Sequence, residues 1–460
     1  MIIGDFAAAR HLASRLEMGI DGALCKSRIG VDSEQIFNSM LPPSEHTVIS
    51  PLLAKWEEMA VFYGAEIEIQ REVRMRAQMD GDVLIAWWLE QIHKTDYPLL
   101  ERMTMFWHSH FTSDIDKVTW PQFMLWQNQL LRQNALGNFS DMLHAIIRDP
   151  AMLMFLDNAQ NLAKSPNENF ARELLELFTL GAGNYSEQDV VSAARAFTGW
   201  RVNLKKGEFI FQNGYHDNGE KTFMGHTGNL NGDDIINILL QESRTAEYIA
   251  EKFWAEFINR DQPDATIIKS WAAAFRDSGY DIKTLLLAVI SSEVFWQEKN
   301  RGVLIKSPVE FTIGLMRELG IQVGEYEYLS RANRQLGQDL FRPPDVKGWR
   351  GGAQWITNTR LIRRYDLTSK LLSEHVGDKQ NMLMETATNP MMMKTDSTLS
   401  DSKQLAGLFR KLLDKIACAA SENELAGWLL PFEPISSPSC EQSLESMVLT
   451  LLKDPTYQLR

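Results

Sequence analysis

Two histidines separated by a single residue are the first place in this chain where chemistry could reside, in Phe106-Trp107-His108-Ser109-His110-Phe111-Thr112. Imidazole is the commonest metal ligand and a natural base near neutral pH. Side chains two residues apart share one side of an extended segment but stand about 200° apart on a helix. A metal held jointly by His108 and His110 therefore requires non-helical backbone. Leu99–Phe106 reads as helical and Thr112-Ser113-Asp114 as a break, so the pair is expected to straddle a helix end. The plainer reading lets one ring cap carbonyls while the other packs among Trp107 and Phe111.

Three further constellations stand beside it. In Asn167-Glu168-Asn169-Phe170-Ala171-Arg172-Glu173 the four-residue spacing puts Glu168, Arg172 and Glu176 on one helix face. That is either a salt-bridged surface or, with Asn167 and Asn169 crowding the helix start, a place to orient a metal, a water or a sugar hydroxyl. Tyr215-His216-Asp217-Asn218-Gly219 sets a histidine beside an acid in a Gly-flanked turn. Joined in space to the first motif, His216 and Asp217 would complete a His/His/His/Asp set suited to Zn, Mn or Fe. Phe341-Arg342-Pro343-Pro344 through Lys347-Gly348-Trp349-Arg350-Gly351-Gly352 and Trp355 reads as a rigid loop in which Trp349 and Trp355 either staple the fold or offer aromatic platforms. Met382, Met384, Met391, Met392 and Met393 could hold Cu(I), though thioethers in a loop more often cover apolar surface.

The elements that must position these residues are helical. Apolar residues recur at three- and four-residue spacing in Val83–His93, Phe123–Leu131, Tyr248–Ile258, Ile282–Trp296 and Leu405–Ala419. Ser186 followed by Asp189 predicts a helix start, and Gly181 and Gly183 a stop. The β candidate is Glu208–Gln212, with turn residues and Lys221–Gly225 after it, which predicts one short hairpin near 207–225. The expected fold is mostly α: a large multi-helix orthogonal bundle over 1–375, a linker or long loop over 376–402, and a small C-terminal helical segment over 403–460 that packs on the main domain.

Composition narrows the function. The chain has 460 residues, 44% hydrophobic, with 47 Lys+Arg against 60 Asp+Glu and a formal charge of -13. No long basic run is present, which argues against nucleic acid as a partner, and the acidic balance favours a neutral or cationic substrate over a polyanion. Cys25, Cys418 and Cys440 lack CxxC spacing, so neither a disulfide framework nor a thiolate zinc site is expected. No membrane span and no signal peptide are apparent, which points to the cytoplasm. Motifs of serine hydrolases, P-loop proteins, zincins and Rossmann folds are missing.

Taken together, AARHLASRLEMG, FWHSHFTS, NENFARELLELFTLGAGNYSEQDVVSAARAFTGW, YHDNGEKTFMGHTGN, IKSPVEFTIGLMRELG and LGQDLFRPPDVKGWRGGAQWI resemble the bacterial domain-of-unknown-function 1800 family over nearly the whole chain. The resemblance supplies landmarks that coincide with the four constellations. It also implies export and a sulfatase-like neighbour of the domain-of-unknown-function 1501 family, which would put the chain in the periplasm if that partner carried it out. The sequence departs from the family in its early EMGID and in its lack of an export signal.

Three functions follow as expectations. The first is a metal-dependent hydrolase or oxidoreductase, with His108, His110 and His216 holding Zn, Mn, Fe or Cu, and Glu168 or Asp217 as catalytic carboxylate. The second is a non-catalytic binding, maturation or export partner of the sulfatase-like protein, in contact through the loop of Trp349 and Trp355. The third is a carbohydrate-active enzyme pairing Glu168 with Asp217. Asn167 and Arg172 are candidate binding residues in any of them.

Overall fold

Helices form where the apolar spacing places them, and their starts carry the capping residues the sequence offers. The computed structural model describes residues 1–376, 422–435 and 444–460, and the protein is mostly α. Ser186 closes a capping box with Asp189 at the head of Glu187–Ala196, and Ser307 closes another with Glu310 at the head of Pro308–Leu319. The longest helix, Ile67–Lys94, buries Leu84, Ile85, Trp88, Leu89 and Ile92 in its second half, against Pro308–Leu319 and Tyr326–Leu336. Side chains of this size each contribute roughly 1.5–3 kcal/mol when withdrawn from water. Pro98–His110 packs on Pro121–Asn134, and Ser243–Phe257 on Ala265–Asp277 and Ile282–Ser291.

The expected hairpin region contains two small ladders. β1 (Trp200–Asn203) pairs antiparallel with β2 (Glu208–Phe211), and β3 (Lys221–Phe223) with β4 (His226–Gly228). Each has its own turn. Asn203 Oδ1 accepts from Lys205 N (3.1 Å) in the first. In the second, Met224 and Gly225 both take positive φ, the backbone that a two-residue turn of type I′ demands. A methionine gives no advance notice of that conformation. The sequence therefore suggested pairing across residues 213–219, where the chain forms a loop.

The C-terminal part adds to the same body. Leu452 and Tyr457 lie in the core, the helix Leu444–Leu452 packs on Asn358–Val376, and Leu304 and Arg460 exchange backbone hydrogen bonds (3.2 and 2.6 Å). The methionine tract, nearly all of the expected linker, Leu405–Ala419, Cys418 and Cys440 lie outside the described residues. Cys25 is buried and free. Among the described residues, no helix is long and apolar enough to cross a membrane.

Candidate functional site

Both histidines of the first motif lie within the helix Pro98–His110 instead of straddling its end, so their rings leave it in different directions. His108 is buried against Trp88, Phe341 and Trp349, with ring centroids at 5.0, 5.0 and 5.7 Å. Phe341 N–H donates to its Nε2 (3.3 Å), which leaves the proton on Nδ1. His110 sits among Trp107, Phe111 and Phe178, and its Nε2–H donates to Phe178 O (3.2 Å). Burial pushes both down to about 3, helped at His110 by the charge of Lys252. His216 packs on Phe211 and donates from Nδ1 to Thr198 O (2.8 Å). The three rings share no neighbour, and no group of three His, Cys, Asp or Glu side chains that could hold a metal occurs among the described residues.

The backbone accepting from His110 is unusual. After the α-helix Glu168–Glu173 the chain widens into a π-helix over Leu174–Thr179, closed by Leu180 N to Leu175 O (2.9 Å) and Thr179 Oγ1 to Leu174 O (2.6 Å). Such segments are rare and recur near functional sites. At the far end of this helix, about ten residues or 15 Å away, Asn167 caps the first turn by accepting from Asn169 N (3.0 Å). Arg172 pairs with Glu168 (3.1 Å) and Glu187 (2.8 Å) in solvent.

Asp217 lies in a loop whose polar groups are matched. Arg195 Nε donates to it (2.7 Å) and holds its carboxyl below the usual range. Buried Lys221 gives its ammonium to Asp217 O (2.5 Å) and Gly219 O (3.0 Å). Glu168 and Asp217 thus belong to separate ion pairs, and neither contacts a histidine of the first motif.

The structure gathers instead a set of residues that spacing does not join. Ser109 and His110 from the first motif, Lys252, Glu256 and Arg260 from Ser243–Phe257 and its exit, Ser307 and Glu310 from a helix start, and the loop 347–355 line a cleft of about 270 Å³. Gly348 makes this closure possible: at φ +70°, a Cβ there would come 2.6 Å from Ser109 O. Trp349 is half-buried in the wall, whereas Trp355 is only 6% exposed.

The charges of this cleft run against those of the whole chain. Six basic side chains line it, Arg102, Lys252, Arg260, Lys347, Arg350 and Arg460, against Glu256 and Glu310. On the floor, Arg102 Nη1 approaches Glu310 (2.7 Å) and Glu256 (3.2 Å), while Arg460 approaches Glu256 (2.7 Å) and Glu310 (2.9 Å). Desolvation opposes the Glu310 charge, yet Arg460 and Arg102 outweigh it and hold that carboxyl down at about 2. Arg15, behind the floor, has no carboxylate. Its Nη2 donates to Asn300 O (2.5 Å), and its Nε and Nη1 have no partner. Burial, then the charges of Arg460 and Arg102, pulls it well below its ordinary range. Arg460 Nη1 is also unpartnered. At the rim, Lys347 pairs with Glu176 (3.3 Å) and Arg350 with Asp345 (3.4 Å), while Lys252 and Arg260 face the cleft without an ion-pair partner.

Trp349 was legible as a site residue, but Arg102, Lys252, Arg260 and Arg460 were not singled out. A signal was present for the first: Arg102 shares a helix face with Met105, Phe106 and Ser109, and an arginine on the inward face of an apolar helix needs a partner.

The model of a family described as protein of unknown function (DUF1800) matches residues 11–459. Comparison with the curated proteins gave no match, nor did comparison with the solved structures.

Proposed function

The chain belongs to the DUF1800 family of proteins of unknown function, and from that premise we propose that it binds an anionic ligand in the cleft between the Ser109–His110 turn and the Trp349 loop. The observation that carries this is the charge imbalance at the cleft floor and wall: Arg15, Lys252 and Arg260 lack a carboxylate partner, two of them in or beside the buried arginine pair. An unmatched buried charge costs several kcal/mol, and an oxyanion accepting from guanidinium forks offsets that cost. Trp349 offers an apolar face for the rest of the ligand.

This reading reverses the preference for neutral or cationic substrates drawn from net charge, because acids spread over the surface do not determine the local field in a small cleft. It also replaces the histidine-centred hydrolase or oxidoreductase as the leading reading, since His108, His110 and His216 occupy separate aromatic surroundings. As a contact surface for a sulfatase-like partner, the loop would offer Trp349 and not the buried Trp355.

The test is thermal unfolding in sodium sulfate against sodium chloride at matched ionic strength, on the wild type and on Arg260→Ala. Sulfate should raise the midpoint of the wild type in a saturable way, and the variant should lose most of that gain. Equal behaviour of the two salts, or a full sulfate effect in the variant, would refute the assignment.

A further inference from the structure

The anion reading leaves one cleft residue with an unused capacity. Lys252 lines the cleft from the helix Ser243–Phe257, with its Nζ 4.9 Å from the Tyr248 ring centroid. The two carboxylates nearest it on that helix are committed elsewhere, Glu251 to Arg244 (2.6 Å) and Glu256 to Arg460 and Arg102. The charges that face it from other elements are the like charges of Arg260 and Lys347.

We propose that Lys252 is a nucleophilic amine that forms an imine with an anionic carbonyl compound, such as a 2-oxo acid, whose carboxylate is held by the cleft arginines. This rests on the anion-binding reading above. A lysine placed beside other cations and away from water is the recognised setting for such chemistry, because both features favour the neutral amine. Desolvation, reinforced by Arg260 and Lys347 against Glu251, moves Lys252 in that direction. In the step, the Nζ lone pair adds to the carbonyl carbon. The carbinolamine then loses its oxygen and two protons from nitrogen as water, leaving a C=N bond that is protonated to the iminium. No oxidant or reductant takes part.

The experiment is reductive trapping. The full chain is incubated with pyruvate and sodium borohydride, in which hydride reduces the iminium to a stable secondary amine. Intact mass and peptide mapping then locate the adduct. The expected result is a single adduct at Lys252, absent with acetone in place of pyruvate, suppressed by excess sulfate, and lost in Lys252→Arg whose circular dichroism matches the wild type. An adduct spread over many lysines, insensitive to sulfate or persisting in a folded Lys252→Arg, would overturn the proposal. Sulfate stabilisation of the wild type without any Lys252 adduct overturns this inference alone; absence of both overturns the anion reading with it.

Discussion

Two clusters of charge in this molecule are built from the same residue types and solve opposite problems. In the loop after β2, Asp217, Arg195 and Lys221 answer one another and the carbonyls around them, so that the loop is complete in itself. In the cleft, Arg102, Arg460 and Arg15 crowd two glutamates, and Lys252 and Arg260 stand without a carboxylate. A matched cluster holds a shape. An unmatched one is stable only if something else is bound or if the fold elsewhere compensates.

The largest expected effect tests the cleft side. Glu310→Ala removes one of two anions from a buried floor and should destabilise by about 3–5 kcal/mol, read by denaturant unfolding. Added sulfate should recover part of it. If the loss is small, the floor is better compensated than the contrast holds.

Acidification comes next. His108 and His110, held down at about 3, stay neutral in the fold but bind protons in the unfolded chain below the ordinary histidine value of 6.5. Their contribution is therefore complete above pH 6.5 and is lost as pH falls from 6.5 towards about 3. Glu310 adds a lower limb, since its depressed carboxyl stabilises above its ordinary 4.5 and loses that contribution as pH falls towards about 2. Stability measured between pH 7 and 4 should drop by several kcal/mol, with less loss in a His108→Phe variant.

The loop gives a smaller effect. Asp217→Asn weakens the Arg195 pair and should cost about 1 kcal/mol while leaving the sulfate response intact. A changed sulfate response would join the two clusters and break the comparison. Smallest is Arg172→Ala, which removes a solvent-exposed pair and should shift stability by less than about 1 kcal/mol, with the same unfolding assay as the check.

The helical fold was legible because its signals are local: apolar spacing, Ser186 with Asp189, Pro at helix starts. The Glu168–Arg172 pair was legible for the same reason, being one turn apart. The cleft was not, because Arg15, Arg102, Lys252, Glu310 and Arg460 come from five segments whose meeting depends on tertiary packing, and a net charge of -13 conceals a local positive excess. The histidine pair misled for a physical reason. A two-residue spacing suggests shared ligation only in extended backbone, and the helix runs through His110.

The π-helix at Leu174–Thr179 has a consequence for length. It spends one residue more than an α-helix would over the same rise, so the chain behind it is out of phase with the chain in front. Taking out one residue there would let the segment relax to α geometry and turn everything after it by about 100° relative to Glu168–Glu173. The carbonyl of Phe178 would then leave His110, while the residues before the segment stayed in place. Point substitutions at this bend are changes of fit, but a single-residue deletion is a change of phase, and the cleft wall at His110 is where that phase is read.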